Sequence, residues 1–281
     1  MPRLIVNADD FGITPDVTDS ILACHDAGAV TSTTFMVNGG DAERAADAAR
    51  SRPSLSTGLH FNLTEGEPQT DPSRVPTLLT SSGSFVGRGE LVRRWMRGHL
   101  APEEVWLELQ SQLARMRHFG LEPSHLDSHQ HVHALIPSVA YAVRRVASSL
   151  GRPARTPWTW QGARPRSVKR RLTQTALSFA NRMWSASIPI PRTNDGFCSV
   201  FDLDCPPSSI ELRSYEQLLA PYVDLRGTIE LMVHPGGAEG GPGTSATFSA
   251  VSAAEHTLLR TGKLRSLVTS MGFELTNYWT L

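Results

Sequence analysis

The sequence lacks the features that mark secreted, membrane-spanning or nucleic-acid-binding proteins. Its 281 residues include only three cysteines, odd in number and widely spaced, which predicts neither a disulfide framework nor a cysteine-based metal site. It has no run of about 18 apolar residues, so no membrane span is expected, and no apolar secretory segment follows Met1. Basic and acidic residues number 27 each, which gives no charge-based reason for nucleic-acid binding. We therefore expect a cytoplasmic protein.

A second absence is local and concerns acidic residues. None occurs from 128 to 194, whereas eleven basic residues lie there, with Trp158, Trp160 and Trp184 among them. Such a patch fits an anionic substrate, a nucleic-acid backbone or a membrane surface, nucleic acid being the least favoured because no binding motif accompanies it. The alternative is a solvated insertion whose charges are balanced elsewhere. We predict one domain, 1–281, with a basic, Trp-containing insertion at about 158–197.

Histidine, in contrast, is concentrated at one point. Four of the ten histidines lie between 125 and 133. His129, His131 and His133 alternate at period two, which places them on one face of an extended chain. Neighbouring imidazoles repel one another when charged, so they are usually held neutral by a metal or by carboxylates. This pattern predicts a metal-binding or catalytic role, the alternative being a polar strand end.

Other polar residues lie at the ends of further predicted strands. Strands and helices alternate along the chain, which predicts a parallel α/β fold, either a closed barrel or an open sheet. The carboxyl ends of parallel strands meet at one edge, where catalytic groups converge in barrels. The residues predicted to meet there are Asp9, Asp10, His60, His129 and His234. The long segment 66–90 is expected to be a lid or binding loop, and 253–271 to be the final helix.

One carboxylate and two imidazoles could hold a metal that keeps coordination positions open for water and substrate, as catalytic metals do. Two adjacent aspartates at a buried strand end repel one another, so one of them is expected to need a nearby cation or to have a raised pKa. The other carboxylate could then act as a general base. The alternative is a loop in which Asp10 caps a turn.

Four segments of the chain together resemble the YdjC-like carbohydrate deacetylases. These segments are residues 7–12, 58–64, 125–133 and 234–236, in the family's order. The family includes the chitin-disaccharide deacetylase and a hopanoid-biosynthesis deacetylase. The resemblance implies a TIM-barrel-like parallel β/α barrel, irregular or seven-stranded forms included. It also implies metal-dependent removal of acetate from an N-acetylated amino sugar.

The resemblance assigns roles position by position. Asp10, His60 and His129 would hold one divalent ion, which could be Zn, Mg, Mn or Co. Asp9 would be the general base, and His234 is the candidate general acid at the leaving amine.

Further roles are predicted for residues around this group. Arg155 opens a segment similar to the Arg-x-Pro element of the wider polysaccharide deacetylases, so we expect it to pair with Asp9 and to keep it ionised. Asp127 is expected to orient a ligand imidazole. The candidate substrate-binding residues are Asn62, His131, His133 and Trp158.

The expected substrate is a small N-acetylated sugar or glycoconjugate, and the protein is a candidate homo-oligomer. Tryptophan faces suit sugar rings and arginines suit anions, so the basic insertion predicts a charged acceptor beyond a neutral disaccharide. One alternative function is a metal-dependent esterase or phosphodiesterase on the same scaffold. The other is a non-catalytic glycan-binding protein.

Overall fold

The computed structural model describes residues 1–157, 175, 192–203, 205–237 and 245–281. Most of the predicted insertion at 158–197, including Trp158, lies outside the described residues, so its role stays a prediction. The strands are β1 Arg3–Phe11, β2 Ser32–Phe35, β3 Ser56–Phe61, β4 Leu126–Ser128, β5 Gly196–Ser199, β6 Thr228–Val233 and β7 Glu274–Thr276. The helices are α1 Pro15–Asp26, α2 Ala42–Arg50, α3 Arg88–Met96, α4 Pro102–His118, α5 Val132–Leu135, α6 Pro137–Leu150, α7 Leu212–Leu219, α8 Ala246–Leu259 and α9 Lys263–Ser270.

All the described strands are parallel and belong to one sheet centred on β1. Six of them follow the order β4-β3-β2-β1-β6-β5, and the sheet curls into a half-barrel. Strand β6 pairs along one edge of β1. On the other edge, β2 pairs with the C-terminal half of β1 and β7 pairs with its N-terminal half. The strand residues Leu4–Val6 are fully buried, as is typical of a parallel strand covered on both faces. The predicted parallel α/β fold is confirmed.

Among the described residues, a short segment at Ala154 links the two outer strands, β4 and β5. Ala154 forms a single parallel bridge to Leu126 of β4, and its backbone N–H donates to the carbonyl of Arg192, ahead of β5, at 3.3 Å. A regular closed TIM barrel is therefore not established by the described residues.

Helices fill the crossovers between the parallel strands. Helix α4 buries Val105, Leu109, Leu113 and Met116 on one side, as its period of three to four residues predicts. The prediction of one final helix at 253–271 is wrong in its bounds. Helix α8 starts earlier, at Ala246 with Ser245 as its N-cap, and Gly262, at φ +71°, separates it from α9. Within the described ranges, no helix is both long and apolar enough to cross a membrane.

Candidate active site

Two consecutive carboxylates at the end of β1 turn towards different partners. Asp9 is 2% exposed and Asp10 8% exposed. Asp10 has φ +71°, a left-handed conformation that strains a residue with a side chain by roughly 1 to 3 kcal/mol. Asp9 contacts Arg155, whereas Asp10 contacts His60 and His129. The backbone turn at Asp10 thus separates two neighbouring aspartates that would otherwise repel each other.

Asp10, His60 and His129 form a set of converging donor atoms. Asp10 Oδ1 lies 3.2 Å from His60 Nε2 and 2.9 Å from His129 Nδ1, and the two nitrogens are 3.3 Å apart. Three ligands bound about 2.1 Å from one ion would be separated by about 3.0 to 3.4 Å, so these spacings fit one face of a metal coordination sphere. One carboxylate oxygen and two imidazole nitrogens also suit a divalent cation chemically.

Each of the two imidazoles is oriented by a carboxylate behind it. His60 Nδ1 lies 2.7 Å from Asp127 Oδ1, and His129 Nε2 lies 3.2 Å from Glu65 Oε1. A carboxylate on the far nitrogen fixes the tautomer and leaves the near nitrogen free to bind a metal. Burial alone would lower the pKa of His60, but Asp127 and Asp10 raise it to about 10. Burial also opposes the rise in the pKa of His129, which Asp10 and Glu65 bring to about 9.

Arg155 lies at the centre of a buried cluster of three carboxylates. It donates from Nη1 and Nη2 to the two oxygens of Asp9, at 2.7 and 2.6 Å. Its Nε donates to Glu230 at 2.8 Å, and its Nη1 lies 2.5 Å from Asp127 Oδ2. Burial would raise the pKa of Asp9, but the Arg155 guanidinium holds it well below its usual range. The hydrogen bonds of the predicted pairing of Arg155 with Asp9 are thus present, and they favour the ionised form of Asp9.

Tyr278, near the end of the chain, adds a hydroxyl and an aromatic ring to this cluster. The Tyr278 hydroxyl donates to Glu230, whose other oxygen accepts from Arg155. The Tyr278 ring stacks on His125 at 3.6 Å between centroids, and His125 Nδ1 lies 2.9 Å from the hydroxyl of Ser124. Burial followed by the positive charge of Arg155 lowers the pKa of His125 well below its usual value, so this histidine is a neutral packing residue.

His234 also lies close to Asp9. Its Nε2 is 3.9 Å from Asp9 Oδ2. The rings of Phe201 and Phe248 stack on each other, and both make T-shaped contacts with the imidazole, with centroids 5.6 and 5.1 Å away. Burial lowers the pKa of His234, so the imidazole is neutral at pH 7.

These groups open into a cavity of about 470 Å³. Its lining residues include Asp9, Asp10, His60, Glu65, Arg88, His129, Gln130, His131, Phe197, Phe201, Asp202, Met232, His234 and Phe248. A larger and more apolar cavity of about 850 Å³ lies between α4 and α6. No histidine or aspartate lines that second cavity, so the chemistry identifies the smaller one as the candidate site.

The prediction that the three alternating histidines share one extended face is wrong. Strand β4 ends at Ser128, and Gln130 and His131 then adopt left-handed φ values of +53° and +54°. These two residues form a turn that leads into α5, so of the three histidines only His129 joins Asp10 and His60.

The other two histidines take different positions. His131 lines the cavity and packs edge-on against Phe197. His133 is buried, with Nδ1 2.6 Å from the Ser128 hydroxyl and Nε2 3.2 Å from the Arg155 carbonyl. Burial and the Arg155 charge lower the pKa of His133 to about 3. The structure therefore brings His131, but not His133, to the wall of the cavity.

Asn62, a further predicted substrate residue, supports the loop after β3 instead of lining the cavity. Its side-chain oxygen accepts from the backbone N–H groups of Thr64 and Glu65, at 3.0 and 3.2 Å. Its amide donates to the Glu65 carbonyl at 2.7 Å. Asn62 thereby fixes the loop that carries Glu65 to His129.

Four residues of the site were missed by sequence reasoning. Glu65 falls between the motif 58–64 and the long segment 66–90. Glu255, which accepts a hydrogen bond from the His234 backbone N–H, lies inside the predicted final helix 253–271. Tyr278 comes from the end of the chain. Glu230 gave the one usable signal, since it is a lone acid inside an otherwise apolar strand, and a buried charge needs a partner.

The model of the YdjC-like protein family matches residues 3–270. The chain belongs to the YdjC-like family.

Several proteins resemble this YdjC-like chain. It is 44% identical over 156 residues to a carbohydrate deacetylase of Geobacillus stearothermophilus, covering 55% of this chain and 60% of that protein. It is 42% identical over 153 residues to a chitooligosaccharide deacetylase of Serratia marcescens, covering 54% and 58%. The aligned part thus spans about three fifths of these two relatives. A carbohydrate deacetylase of Brevibacillus brevis is 29% identical over 98% of both chains.

A solved structure resembles the whole fold. It is a candidate cellobiose-phosphate cleavage protein of Enterococcus faecalis V583, with a TM-score of 0.80, 26% identity and coverage of 99% of this chain and 98% of that one.

Proposed function

We propose that this protein hydrolyses the N-acetyl group of an amino sugar of the N-acetylglucosamine type, free or in a glycoconjugate, and releases acetate. The observation that carries the proposal is the pairing of two functions at the end of β1. Asp10 joins a metal-type donor set, and the adjacent Asp9 is an ionised carboxylate outside that set. The names of the carbohydrate deacetylase relatives support the same activity.

Asp10, His60 and His129 are the residues that would hold a divalent ion, and their mixed oxygen and nitrogen donors accommodate Zn, Co, Mn or Mg. Such an ion would polarise the acetyl carbonyl and make a coordinated water more acidic. Asp127 and Glu65 would keep the two imidazoles in the tautomers that this binding requires.

Asp9 is our candidate general base. The ionised form of a carboxylate is the form that can accept a proton, and the two hydrogen bonds with Arg155 favour this form of Asp9 and fix its direction. The lowered pKa also makes Asp9 a weaker base. Asp127 and Glu230 share the positive charge of Arg155, so the guanidinium does not act on Asp9 alone.

His234 is our candidate general acid. Its Nε2 is close enough to Asp9 for a proton taken up by the carboxylate to be passed on with a small movement, since 3.9 Å exceeds a hydrogen bond only modestly. A lowered pKa makes the imidazolium form a stronger acid, which favours delivery of that proton to the departing amine.

The phosphodiesterase alternative is less well supported by the same residues. Phosphoryl transfer commonly uses two metals about 4 Å apart. The second group with metal-type geometry among the described residues is Asp9, His60 and Asp127, but Arg155 already binds both of these carboxylates. A cation at that position would compete with the guanidinium.

Three further inferences accompany the proposed activity. We infer that the segment around Ala154 closes the sheet into an irregular barrel and that the protein acts in the cytoplasm. We also infer that the basic insertion at 158–197 binds a charged acceptor group of the substrate. Partial proteolysis within 158–197, followed by comparison of neutral and phosphorylated acetylated sugars, tests the last inference. Equal losses for both substrates would contradict it.

The activity is tested by measuring acetate release from a panel of compounds. The panel contains N-acetylglucosamine, its β-1,4-linked dimer and trimer, and a nucleotide-linked derivative, each assayed with and without chelator. We expect chelator-sensitive acetate release that a divalent ion restores. Hydrolysis of acetate esters or of phosphodiesters, with no acetate released from the acetylated sugars, would favour the alternative hydrolase. No turnover and no bound metal would favour a glycan-binding protein.

A further inference from the structure

Helix α8 accepts hydrogen bonds from both backbone N–H groups of the segment His234–Gly236. The pairing of β6 with β1 ends at Val233, and its pairing with β5 ends at Met232, so His234 lies beyond the sheet. Its N–H donates to Glu255 Oε2 at 2.7 Å. Pro235 has no N–H, and the Gly236 N–H donates to the Ser252 carbonyl at 3.2 Å.

The same helix also packs against the His234 ring. Phe248, Ser252 and Glu255 are separated by four and three residues, so they lie on one face of α8. The Phe248 ring contacts the imidazole edge-to-face, with centroids 5.1 Å apart. One helix face therefore holds both the backbone and the side chain of His234.

Glu255 is itself fixed from behind. Its side chain is fully buried, and Oε1 accepts from the Tyr215 hydroxyl of α7 at 3.0 Å. A buried carboxylate is costly unless its oxygens are hydrogen-bonded, and here each oxygen has one donor. The two donors hold the carboxylate in a single orientation, between α7 and the end of β6.

We propose that Glu255 is a positioning residue that, supported by Tyr215, sets the location of His234 for proton delivery to the leaving amine. The inference rests on the proposed function, because it assigns Glu255 an effect through the acid role of His234. Loss of the carboxylate leaves the His234 N–H without an acceptor, and the segment can then shift. A misplacement of about 1 Å can lower a rate about a hundredfold.

The test compares Glu255→Leu, Glu255→Gln and Tyr215→Phe with wild type. The assays are acetate release from the best acetylated sugar and hydrolysis of 4-nitrophenyl acetate, whose leaving group needs no protonation. We expect Glu255→Leu to lower kcat on the sugar by about 10- to 100-fold, with KM nearly constant, while the ester rate changes by less than about threefold. Glutamine retains an acceptor for the His234 N–H, so Glu255→Gln should recover most of the lost kcat.

The outcomes separate the two proposals. Equal losses on sugar and ester, or no loss in Glu255→Leu while wild type releases acetate, would overturn the positioning role alone. No acetate release by wild type would overturn the proposed function and this role with it. If Glu255→Leu does not fold, Tyr215→Phe decides the matter, since losing one of the two bonds to Glu255 should lower kcat on the sugar but not on the ester.

Discussion

Replacing Arg155 with methionine leaves three buried carboxylates without their shared cation. Asp9, Asp127 and Glu230 are each at most 2% exposed. Removing one partner of a buried ion pair typically costs about 3 to 5 kcal/mol, a large part of the roughly 5 to 15 kcal/mol that stabilises a domain. With a urea m value of about 3 kcal/mol/M, the unfolding midpoint should fall by about 1 to 1.7 M.

The free energy of unfolding that Arg155→Met loses should depend on pH, and the pKa of Asp9 determines the direction of this dependence. Arg155 keeps this pKa below its unfolded value of about 3.9, so the stability gained by wild type is present above about pH 4 and lost as the pH falls. In Arg155→Met the carboxylates remain buried without the cation, so the pKa values of Asp9 and Glu230 rise and their protonation relieves the repulsion. The difference between wild type and variant should therefore be larger at pH 8 than at pH 5.

The assay is urea unfolding of the metal-free protein, in chelator, at pH 5 and pH 8. Arg155→Lys keeps the charge but not the paired N–H donors, so an intermediate loss is expected. Arg44→Met is the matched surface control, because Arg44 also binds two aspartates, Asp19 and Asp41, but is 46% exposed; it should cost less than about 1 kcal/mol. A loss in Arg155→Met below 1 kcal/mol at pH 8, or one that is equal at both pH values, would refute this reasoning.

Three further predictions concern neighbouring contacts. Glu65→Gln removes the carboxylate behind His129 and should weaken Zn²⁺ or Co²⁺ binding by about 10- to 100-fold, measured by titration calorimetry; unchanged affinity would contradict the orienting role. Tyr278→Phe removes the donor to buried Glu230 and should lower the free energy of unfolding by about 1 to 3 kcal/mol in urea, whereas removal of the exposed Trp279 ring in Trp279→Ala should cost less. Burial raises the pKa of Glu255 from 4.5 to about 7, so its contribution to stability is present at low pH and lost as the pH rises towards 7. Glu255→Gln should thus gain up to about 3 kcal/mol relative to wild type between pH 4.5 and pH 8, and a difference that does not change with pH would exclude the shift.

The convergence of Asp9, Asp10, His60 and His234 could be predicted from the sequence because it needs only strand order. Each residue ends or follows a parallel strand, and such ends share one edge. The likeness to the Arg-x-Pro element similarly predicted that Arg155 pairs with Asp9.

The contacts that could not be predicted depend on backbone turns or on distant parts of the chain. Period-two spacing suggested one strand through His133, but left-handed residues at 130 and 131 end it, and no local pattern reveals those φ values. Glu255 and Tyr278 reach the site from a helix and from the last residues of the chain. Their spacing relative to the motifs carries no periodic signal.

The central claim is that Asp10 binds the metal and Asp9 acts as the general base. It is tested most directly by measuring bound metal and acetate release on the same samples of wild type, Asp9→Asn and Asp10→Asn. We predict that Asp9→Asn retains about one divalent ion per chain and loses acetate release by at least about a hundredfold. Asp10→Asn should lose both, because its oxygen belongs to the donor set with His60 and His129. Full acetate release by Asp9→Asn, or equal metal loss in both variants, would contradict the account.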